Sequence, residues 1–248
     1  MKKLLVVMPL YNEEKLLKRA VNSILDQTYT NFSLVIVNDC STDNSLQEAN
    51  KFLYDKRITI INNEKNQGAY YSKNVGLQLL ENKEFDIYTI HDADDFSLLN
   101  RFKKMINVFE LNKDIVCVQD FELRIGNNPP SWYGPIHKEM RNIAHPFYTK
   151  EIFEKLGYYD NTLYSGDEDY FKRLNNYCLL NKRINYDLNE ILYYAEVTDD
   201  NAILTYGHKL REIYRKSFVT EIEEMYKNNN FYRKFFQYSK KNNISDVL

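Results

Sequence analysis

Short apolar segments that alternate with helical patterns constrain the fold of this chain more than any other feature. The alternation repeats between residues 3 and 120. The apolar segments, which are rich in β-branched residues, lie at residues 4–8, 33–37, 58–61, 87–90 and 115–118. Continuous apolar runs of this length are typical of strands buried on both faces of a sheet. The pattern predicts an α/β domain with a single Rossmann-like, mostly parallel sheet flanked by helices.

The fourth apolar segment, residues 87–90, runs almost directly into three carboxylates, Asp92, Asp94 and Asp95. Side chains two residues apart on an extended chain point the same way, so Asp92 and Asp94 can face one ligand. Open parallel sheets bind ligands beyond the carboxyl ends of their strands, where these aspartates lie. A hard divalent cation such as Mg²⁺ or Mn²⁺ would relieve their mutual repulsion. The alternative is a solvated acidic turn in which Asp95 caps a helix.

The composition excludes several classes of function. A net charge of −2 over 248 residues gives no electrostatic case for a nucleic-acid binder. The cysteines Cys40, Cys117 and Cys178 lie far apart, so they predict neither a zinc site nor a disulfide framework. Reduced thiols, and no apolar run near the roughly 20 residues that span a bilayer, predict a cytoplasmic protein.

Five segments, taken in chain order, resemble glycosyltransferase family 2, a family of inverting enzymes with the GT-A fold. They read VMPLYNE at residues 7–13, VIVNDCSTD at 35–43, NQGAYYSKNVG at 66–76, DAD at 92–94, and FEKLG with GDEDY at 153–157 and 166–170. Each is a weak signal by itself, but five in the family's order are a strong one. The resemblance covers roughly residues 3 to 180 and implies a GT-A fold.

The resemblance implies a binding site for the nucleotide part of a sugar donor. Its residues are Pro9, Tyr11, Glu13, Asp39, Gly68, Lys73 and Asp92. Asp39 would accept a hydrogen bond from the nucleobase, typically the N3–H of uracil. Lys73 stands where the family often has Arg, and it would neutralise phosphate or contact the base. Asp92 would bind the ribose hydroxyls or the sugar, and a UDP-sugar is the expected donor.

The same resemblance implies the chemistry. Asp94 would coordinate Mn²⁺ or Mg²⁺, which would offset the charge of the departing diphosphate. Asp169, preceded by Glu168, would be the general base that takes the proton from the acceptor hydroxyl. The sugar would move, with inversion at its anomeric carbon, to a glycan or another hydroxyl acceptor, as in polysaccharide or glycoconjugate synthesis.

Structural interpretations stay open for several of these residues. They are packing for Tyr11, a helix-start acid for Glu13, a turn former for Asp39, a solvated helix residue for Lys73, and an acidic helix start for residues 167–169.

Departures from the family pattern leave a second function open. Asn38 replaces the first of two usual aspartates and Cys40 replaces a glycine, so that turn is expected to differ. The family often has a Y-R-x-H segment whose His completes the metal or phosphate site, and the corresponding residues 193–198 contain neither Arg nor His. The alternative is therefore a catalytically degenerate GT-A domain that binds a nucleotide-sugar or glycan without transfer. Three histidines flank the predicted cleft, as core residues or acceptor contacts: His91, His137 and His145.

The domain boundaries follow the change in composition along the chain. Residues 1–200 are predicted to form the catalytic domain, with a nucleotide-binding half at about 1–120 and an acceptor-binding half at about 121–200. The second half contains Trp132 in a loop rich in Gly and Pro, where it would stack on an acceptor or anchor the loop. Residues 201–248 are predicted to form a C-terminal helical extension that packs on the domain, makes a homodimer contact or lies on a membrane surface.

Overall fold

The computed structural model of the protein describes residues 1–82, 84–125, 139–162 and 165–197, with residues 225, 227, 228 and 230. Its strands are β1 (Leu4–Leu10), β2 (Phe32–Asn38), β3 (Ile58–Asn62), β4 (Ile87–Ile90), β5 (Phe96–Ser97), β6 (Ile115–Ile125), β7 (Glu139–Arg141), β8 (Phe147–Thr149) and β9 (Ile184–Glu196). Its helices are α1 (Leu17–Leu25), α2 (Ser45–Asn50), α3 (Ala69–Leu77), α4 (Leu79–Asn82), α5 (Arg101–Val108), α6 (Lys150–Leu156) and α7 (Gly166–Asn181). Trp132, His137 and almost all of residues 201–248 lie outside the described residues, so their assigned roles stay predictions.

The described strands form one sheet, in the order β3-β2-β1-β4-β8-β6-β9-β5, with β7 paired to β6 off this path. The first four strands are parallel, with β1 between β2 and β4. Strand β8 then pairs antiparallel with both β4 and β6, and β9 returns parallel to β6 and reaches β5. The predicted α/β fold is confirmed. The apolar pattern did not predict the antiparallel strands of the second half.

The central strand β1 is apolar throughout because both faces of the sheet are covered. Alternate residues enter two separate cores, with Leu4, Val6, Met8 and Leu10 in one and Leu5 and Val7 in the other. Helices α1 and α5 contribute to the first core, and α3, α6 and α7 contribute to the second. Helices therefore cover both faces of the sheet, as a strand that is apolar throughout requires.

The β1–β4 ladder ends where the predicted site begins. The last pair is Val7 with Ile90, and the amide of His91 then donates to the Val7 carbonyl at 3.0 Å. Pro9 lies in β1 beyond this point, where the ladder needs no amide hydrogen on the side of β4. Residues 92–95 therefore leave the sheet next to the end of β1.

Helix α3 approaches β1 closely at Gly76. A Cβ at this position would lie 2.4 Å from Val7 Cγ1, much closer than carbon atoms pack. Two residues earlier, Asn74 donates to the Tyr159 carbonyl at 3.0 Å and accepts from the Tyr159 amide at 2.9 Å. The close approach therefore holds α3, which also carries Lys73, against the sheet and the chain after α6.

We expect Gly76→Ala to destabilise the protein by about 1–3 kcal/mol through overpacking, which outweighs a gain in helix propensity of at most about 1 kcal/mol. Urea denaturation would measure the loss. Val7→Ala removes the methyl groups that a new Cβ would meet, so the double variant should be more stable than the two single losses predict. Strictly additive losses would show that contact with Val7 is not the reason for glycine.

Candidate active site

Asp92 begins the turn after β4, and each of its carboxylate oxygens faces a basic side chain. Lys73 Nζ lies 3.4 Å from Oδ1, and His145 Nε2, from the loop before β8, lies 2.9 Å from Oδ2. Burial alone would raise the pKa of Asp92, but Lys73 and His145 lower it far below its usual range. Asp92 is therefore an ionised carboxylate at the carboxyl end of the sheet.

The other two carboxylates of the turn shift in the opposite direction. Burial, and then the charge of Asp92, raise the pKa of Asp94 to about 6. Burial, and then the charges of Asp94 and Asp92, raise the pKa of Asp95 well above its usual range. Asp95 Oδ1 accepts the amide hydrogen of Glu196 at 2.8 Å, and the Asp94 carbonyl accepts from Arg19 at 2.6 Å. Neighbouring carboxylates with opposite shifts are typical of a functional site.

These side chains fit a divalent cation. One oxygen each from Asp92 and Asp95 and one ring nitrogen of His145 lie within 4.8 Å of one another. Asp92 Oδ1 is buried and receives no hydrogen bond from the described residues, although Lys73 Nζ is nearby. Oxygen ligands suit Mg²⁺ or Mn²⁺, and imidazole adds a ligand that transition metals accept. Sequence reasoning selected as the metal ligand Asp94, whose carboxylate is not in this group, and named His145 only as a core residue or an acceptor contact. His145 is 53 residues from Asp92 in the chain.

A second line of contacts leads from Asp92 to α7. Lys73 Nζ lies 5.1 Å from the centroid of the Tyr70 ring, and the Tyr70 hydroxyl donates to Asp167 Oδ1 at 2.8 Å. Burial, and then the charge of Asp167, raise the pKa of Tyr70 well above its usual range, so the hydroxyl keeps its proton. A Cβ at Gly166 would lie 2.8 Å from this ring, so glycine lets α7 begin against Tyr70. Half-buried Asp167 is thus connected to Asp92 through two side chains.

The predicted base Asp169 has a different environment. Its side chain is fully buried, and Arg173 Nε lies 3.0 Å from its Oδ2. Arg173 also donates to the carbonyls of Leu156 and Tyr158 at 2.6 and 2.8 Å. The ion pair therefore ties α7 to the end of α6, and Asp169 exposes no surface to an acceptor in this conformation. The catalytic roles of Asp169 and of half-buried Glu168 stay predictions.

Asp39, which follows β2, organises the loop before α3. Its carboxylate accepts hydrogen bonds from Asn63 Nδ2 at 2.7 Å and from the amides of Gln67 and Gly68 at 3.1 and 2.7 Å. Gly68 has a φ of 89°, a conformation that favours glycine. A contact between Asp39 and a nucleobase stays a prediction. The nucleobase would have to donate to a lone pair of the carboxylate that Asn63, Gln67 and Gly68 do not already occupy.

The remaining predicted donor residues lie in the loops after β1 and β2. Tyr11 is 45% exposed, which leaves area on its ring for a nucleobase to stack. The Glu13 amide donates to Ser45 Oγ at 2.7 Å, so the first loop is joined to the start of α2. Cys40 has a φ of 60°, the left-handed conformation that the glycine expected there would adopt without strain. Cys40 therefore adopts a backbone conformation that favours glycine, and the expected difference of this turn from the family stays a prediction.

Comparison with known sequences points to one family. The profile of Glycosyl transferase family 2 matches residues 5–174. An uncharacterized glycosyltransferase of Methanocaldococcus jannaschii is 30% identical over 259 residues, which cover 94% of this chain and 85% of that protein. One from Haemophilus influenzae is 35% identical over 112 residues, which cover 45% of this chain and 43% of that protein. The chain spans less than half of the length of that relative and of a second one from the same organism.

Two solved structures share the fold. S. aureus TarS in complex with UDP-GlcNAc is 20% identical with a TM-score of 0.67, over 90% of this chain and 66% of that one. The mannosyltransferase PcManGT of Pyrobaculum calidifontis, in complex with GDP-Man and Mn²⁺, is 14% identical with a TM-score of 0.62, over 91% of this chain and 70% of that one. These similarities confirm the predicted GT-A fold.

We expect Asp169→Asn to destabilise the protein by about 3–5 kcal/mol, because it removes the charge that pairs with the buried Arg173. The matched control is Asp167→Asn, which removes a half-buried carboxylate that forms no described ion pair and should cost about 1 kcal/mol or less. Urea denaturation of both variants would measure the difference. Equal, small losses would contradict a structural role for the Asp169–Arg173 pair.

Proposed function

Because the chain belongs to glycosyl transferase family 2, we propose that it transfers a sugar from a nucleoside-diphosphate sugar to an acceptor hydroxyl. The observation that supports this most is the line of contacts from Asp92 through Lys73 and Tyr70 to Asp167. It connects a candidate cation and diphosphate site at the end of β4 with a half-buried carboxylate at the start of α7. Donor activation and proton removal need two such groups close to one another.

The donor that we propose is a UDP-sugar. Tyr11 offers an exposed ring for stacking, and Lys73 supplies positive charge beside Asp92. The similarity to TarS, which was solved with UDP-GlcNAc, supports this choice. PcManGT was solved with GDP-Man. An experiment on the donor should therefore compare UDP-sugars with GDP-sugars. The acceptor we propose is a glycan or another hydroxyl compound.

Mn²⁺ or Mg²⁺ is the cofactor that we propose. Asp94 would hold the cation, as the sequence predicts, and Asp92 and Asp95, whose carboxylate oxygens lie within 4.8 Å of one another, are further candidates. When bound, such a cation supplies a Lewis acid that stabilises the departing diphosphate. The PcManGT structure with Mn²⁺ supports a divalent ion, since it shares the fold. Burial and the charge of Asp92 raise the pKa of Asp94, and an added cation would favour its ionised form against both effects.

Asp167 is the carboxylate that we propose as the general base, in preference to the buried Asp169. The acceptor oxygen forms a bond to the anomeric carbon, the bond from that carbon to the diphosphate oxygen breaks, and the acceptor proton moves to Asp167. Tyr70 donates to Asp167 Oδ1. The other carboxylate oxygen, Oδ2, would then take the acceptor proton. Attack from the face opposite the diphosphate inverts the configuration of the sugar.

The cellular setting stays a proposal. From the sequence, we propose that the enzyme is cytoplasmic. Residues 201–248 would contact either a second copy of the chain, in a homodimer, or a membrane surface. Among the helices in the described part of the chain, none combines the length and the apolar character that crossing a bilayer would need.

We expect Asp167→Asn to lower kcat by about 10²–10⁴-fold, the contribution of a general base, with the Kd for UDP unchanged. Donor consumption with an acceptor, and calorimetric titration of UDP with Mn²⁺, would measure the two quantities. Asp169→Asn is the matched comparison, and any loss there should follow the fraction of folded protein. A large loss of kcat for folded Asp169→Asn, with normal turnover for Asp167→Asn, would return the role to Asp169.

We expect Asp94→Ala to abolish the dependence of UDP binding on Mn²⁺, because the site loses a carboxylate that the cation would neutralise. Titrations of UDP with and without Mn²⁺ would measure the effect. An unchanged Mn²⁺ dependence would remove Asp94 from the cation site.

Hydrolysis of a panel of UDP- and GDP-sugars with Mn²⁺ tests the activity itself. Hydrolysis of one donor supports transfer. Tight binding of a donor, with no hydrolysis and no transfer to any acceptor tried, would favour the degenerate, binding-only domain instead.

A further inference from the structure

His145 reaches Asp92 from a buried network that lies behind the candidate site. Its ring nitrogen Nε2 lies 2.9 Å from Asp92 Oδ2, and its Nδ1 lies 3.1 Å from Asn142 Oδ1. The His145 backbone amide donates to the same Asn142 oxygen at 3.0 Å. The His145 side chain therefore has a partner at each end, and one of them is a carboxylate of the site.

The neighbours of Asn142 decide which way its amide points. Asn142 Nδ2 donates to Asp120 Oδ1 at 3.1 Å, and an ionised carboxylate can only accept. The amide oxygen must then face His145, so Nδ1 of the imidazole carries a hydrogen and donates it. Because the ionised Asp92 carboxylate can only accept, Nε2 carries a second hydrogen and donates it to Asp92 Oδ2. Arg101 completes the network, because its Nε donates to Asp120 Oδ2 at 2.7 Å and its Nη2 donates to the His145 carbonyl at 2.7 Å.

Aromatic packing fixes the plane of the imidazole. The ring stacks on Tyr193 with 4.5 Å between centroids and 23° between planes. The Arg101 guanidinium lies 4.4 Å from the same Tyr193 ring. Arg101, Asn142 and Tyr193 are fully buried and His145 is 3% exposed, so the imidazole has no room to turn away from Asp92.

We propose that His145 is a positioning residue for donor binding, which holds the Asp92 carboxylate from the side opposite Lys73. The Asn142–Asp120–Arg101 network fixes the ring, and the ring fixes one oxygen of Asp92. The other oxygen, Oδ1, lies beside Lys73, so the carboxylate would be presented to the cation and the ribose in one fixed orientation. This inference rests on the proposed function, which places Asp92 in the donor site. It goes beyond that function because it gives His145 and Asn142 a role in positioning Asp92.

The donor test uses calorimetric titration of UDP with saturating Mn²⁺. We expect His145→Leu to raise the Kd about tenfold, the effect of losing a hydrogen bond to a charged group. His145→Gln places an amide nitrogen near the position of Nε2 and should restore the Kd to within about threefold. The Asn142 side chain bonds to Asp120 and His145 and not to Asp92, yet Asn142→Ala frees the imidazole ring and should raise the Kd about threefold to fivefold.

The matched control is His91→Gln. His91 is also fully buried beside Tyr193, with 5.1 Å between the ring centroids, but its ring nitrogens contact only the Asp92 carbonyl and Ser97 Oγ among the described residues. Its Tm should fall about as far as that of His145→Gln, with the Kd for UDP within about twofold of the wild type. If His145→Gln binds UDP as weakly as His145→Leu, or if His145→Leu binds like the wild type, the proposal is overturned.

A double-mutant cycle on unfolding tests the same contact without any nucleotide. His145→Leu and Asp92→Asn should be non-additive, by a factor of about ten in the unfolding equilibrium constant. Additive effects would overturn the proposal. A wild type that binds neither UDP nor GDP would instead contradict the proposed donor. The double-mutant cycle would still show whether His145 holds Asp92.

Discussion

The Asp92 carboxylate is held between two basic side chains that come from different parts of the chain. Lys73 is on α3, which packs against β1, and His145 precedes β8, which pairs with β4. If Lys73 or His145 were absent, the charge of partly buried Asp92 would be less well compensated beside two further aspartates. A poorly compensated charge is costly in a low-dielectric site. The packing of α3 and β8 on the sheet is therefore what allows three carboxylates to share one turn.

The sequence predicted the first half of the fold well because three of its strands, β1, β2 and β4, are buried on both faces. The apolar segments at 33–37 and 58–61 correspond to β2 and β3, and the segment at 87–90 is β4 with the same ends. Strand β9, Ile184–Glu196, was not predicted because much of it is only half-buried and polar residues interrupt its pattern. Strands of three residues or fewer, such as β7 and β8, are too short to show a periodicity.

The strand pattern by itself predicted the site only where its residues closely follow a strand, whereas Lys73 on α3 was predicted from the family resemblance. Asp92 and Asp39 fall in this class, because the carboxyl ends of parallel strands meet at one edge. Asp167 and Asp169 begin the same helix, and the sequence alone ranked Asp169 first. Arg173, four residues after Asp169, was the available signal for an ion pair within α7. The contact of Tyr70 with Asp167 spans 97 residues, so only tertiary packing reveals it.

Burial separates the aspartates that organise the cleft from those that can meet a ligand. Asp39 and Asp169 are 2% and 0% exposed, and fixed donors from neighbouring segments compensate their charges. A carboxylate deprived of water must be compensated in this way, and it then has little capacity left for a substrate. Asp92, Asp94 and Asp167 are half-buried, so they keep an approach for a ligand. We infer that Asp39 and Asp169 set the geometry of the cleft, and that Asp92, Asp94 and Asp167 meet the ligands.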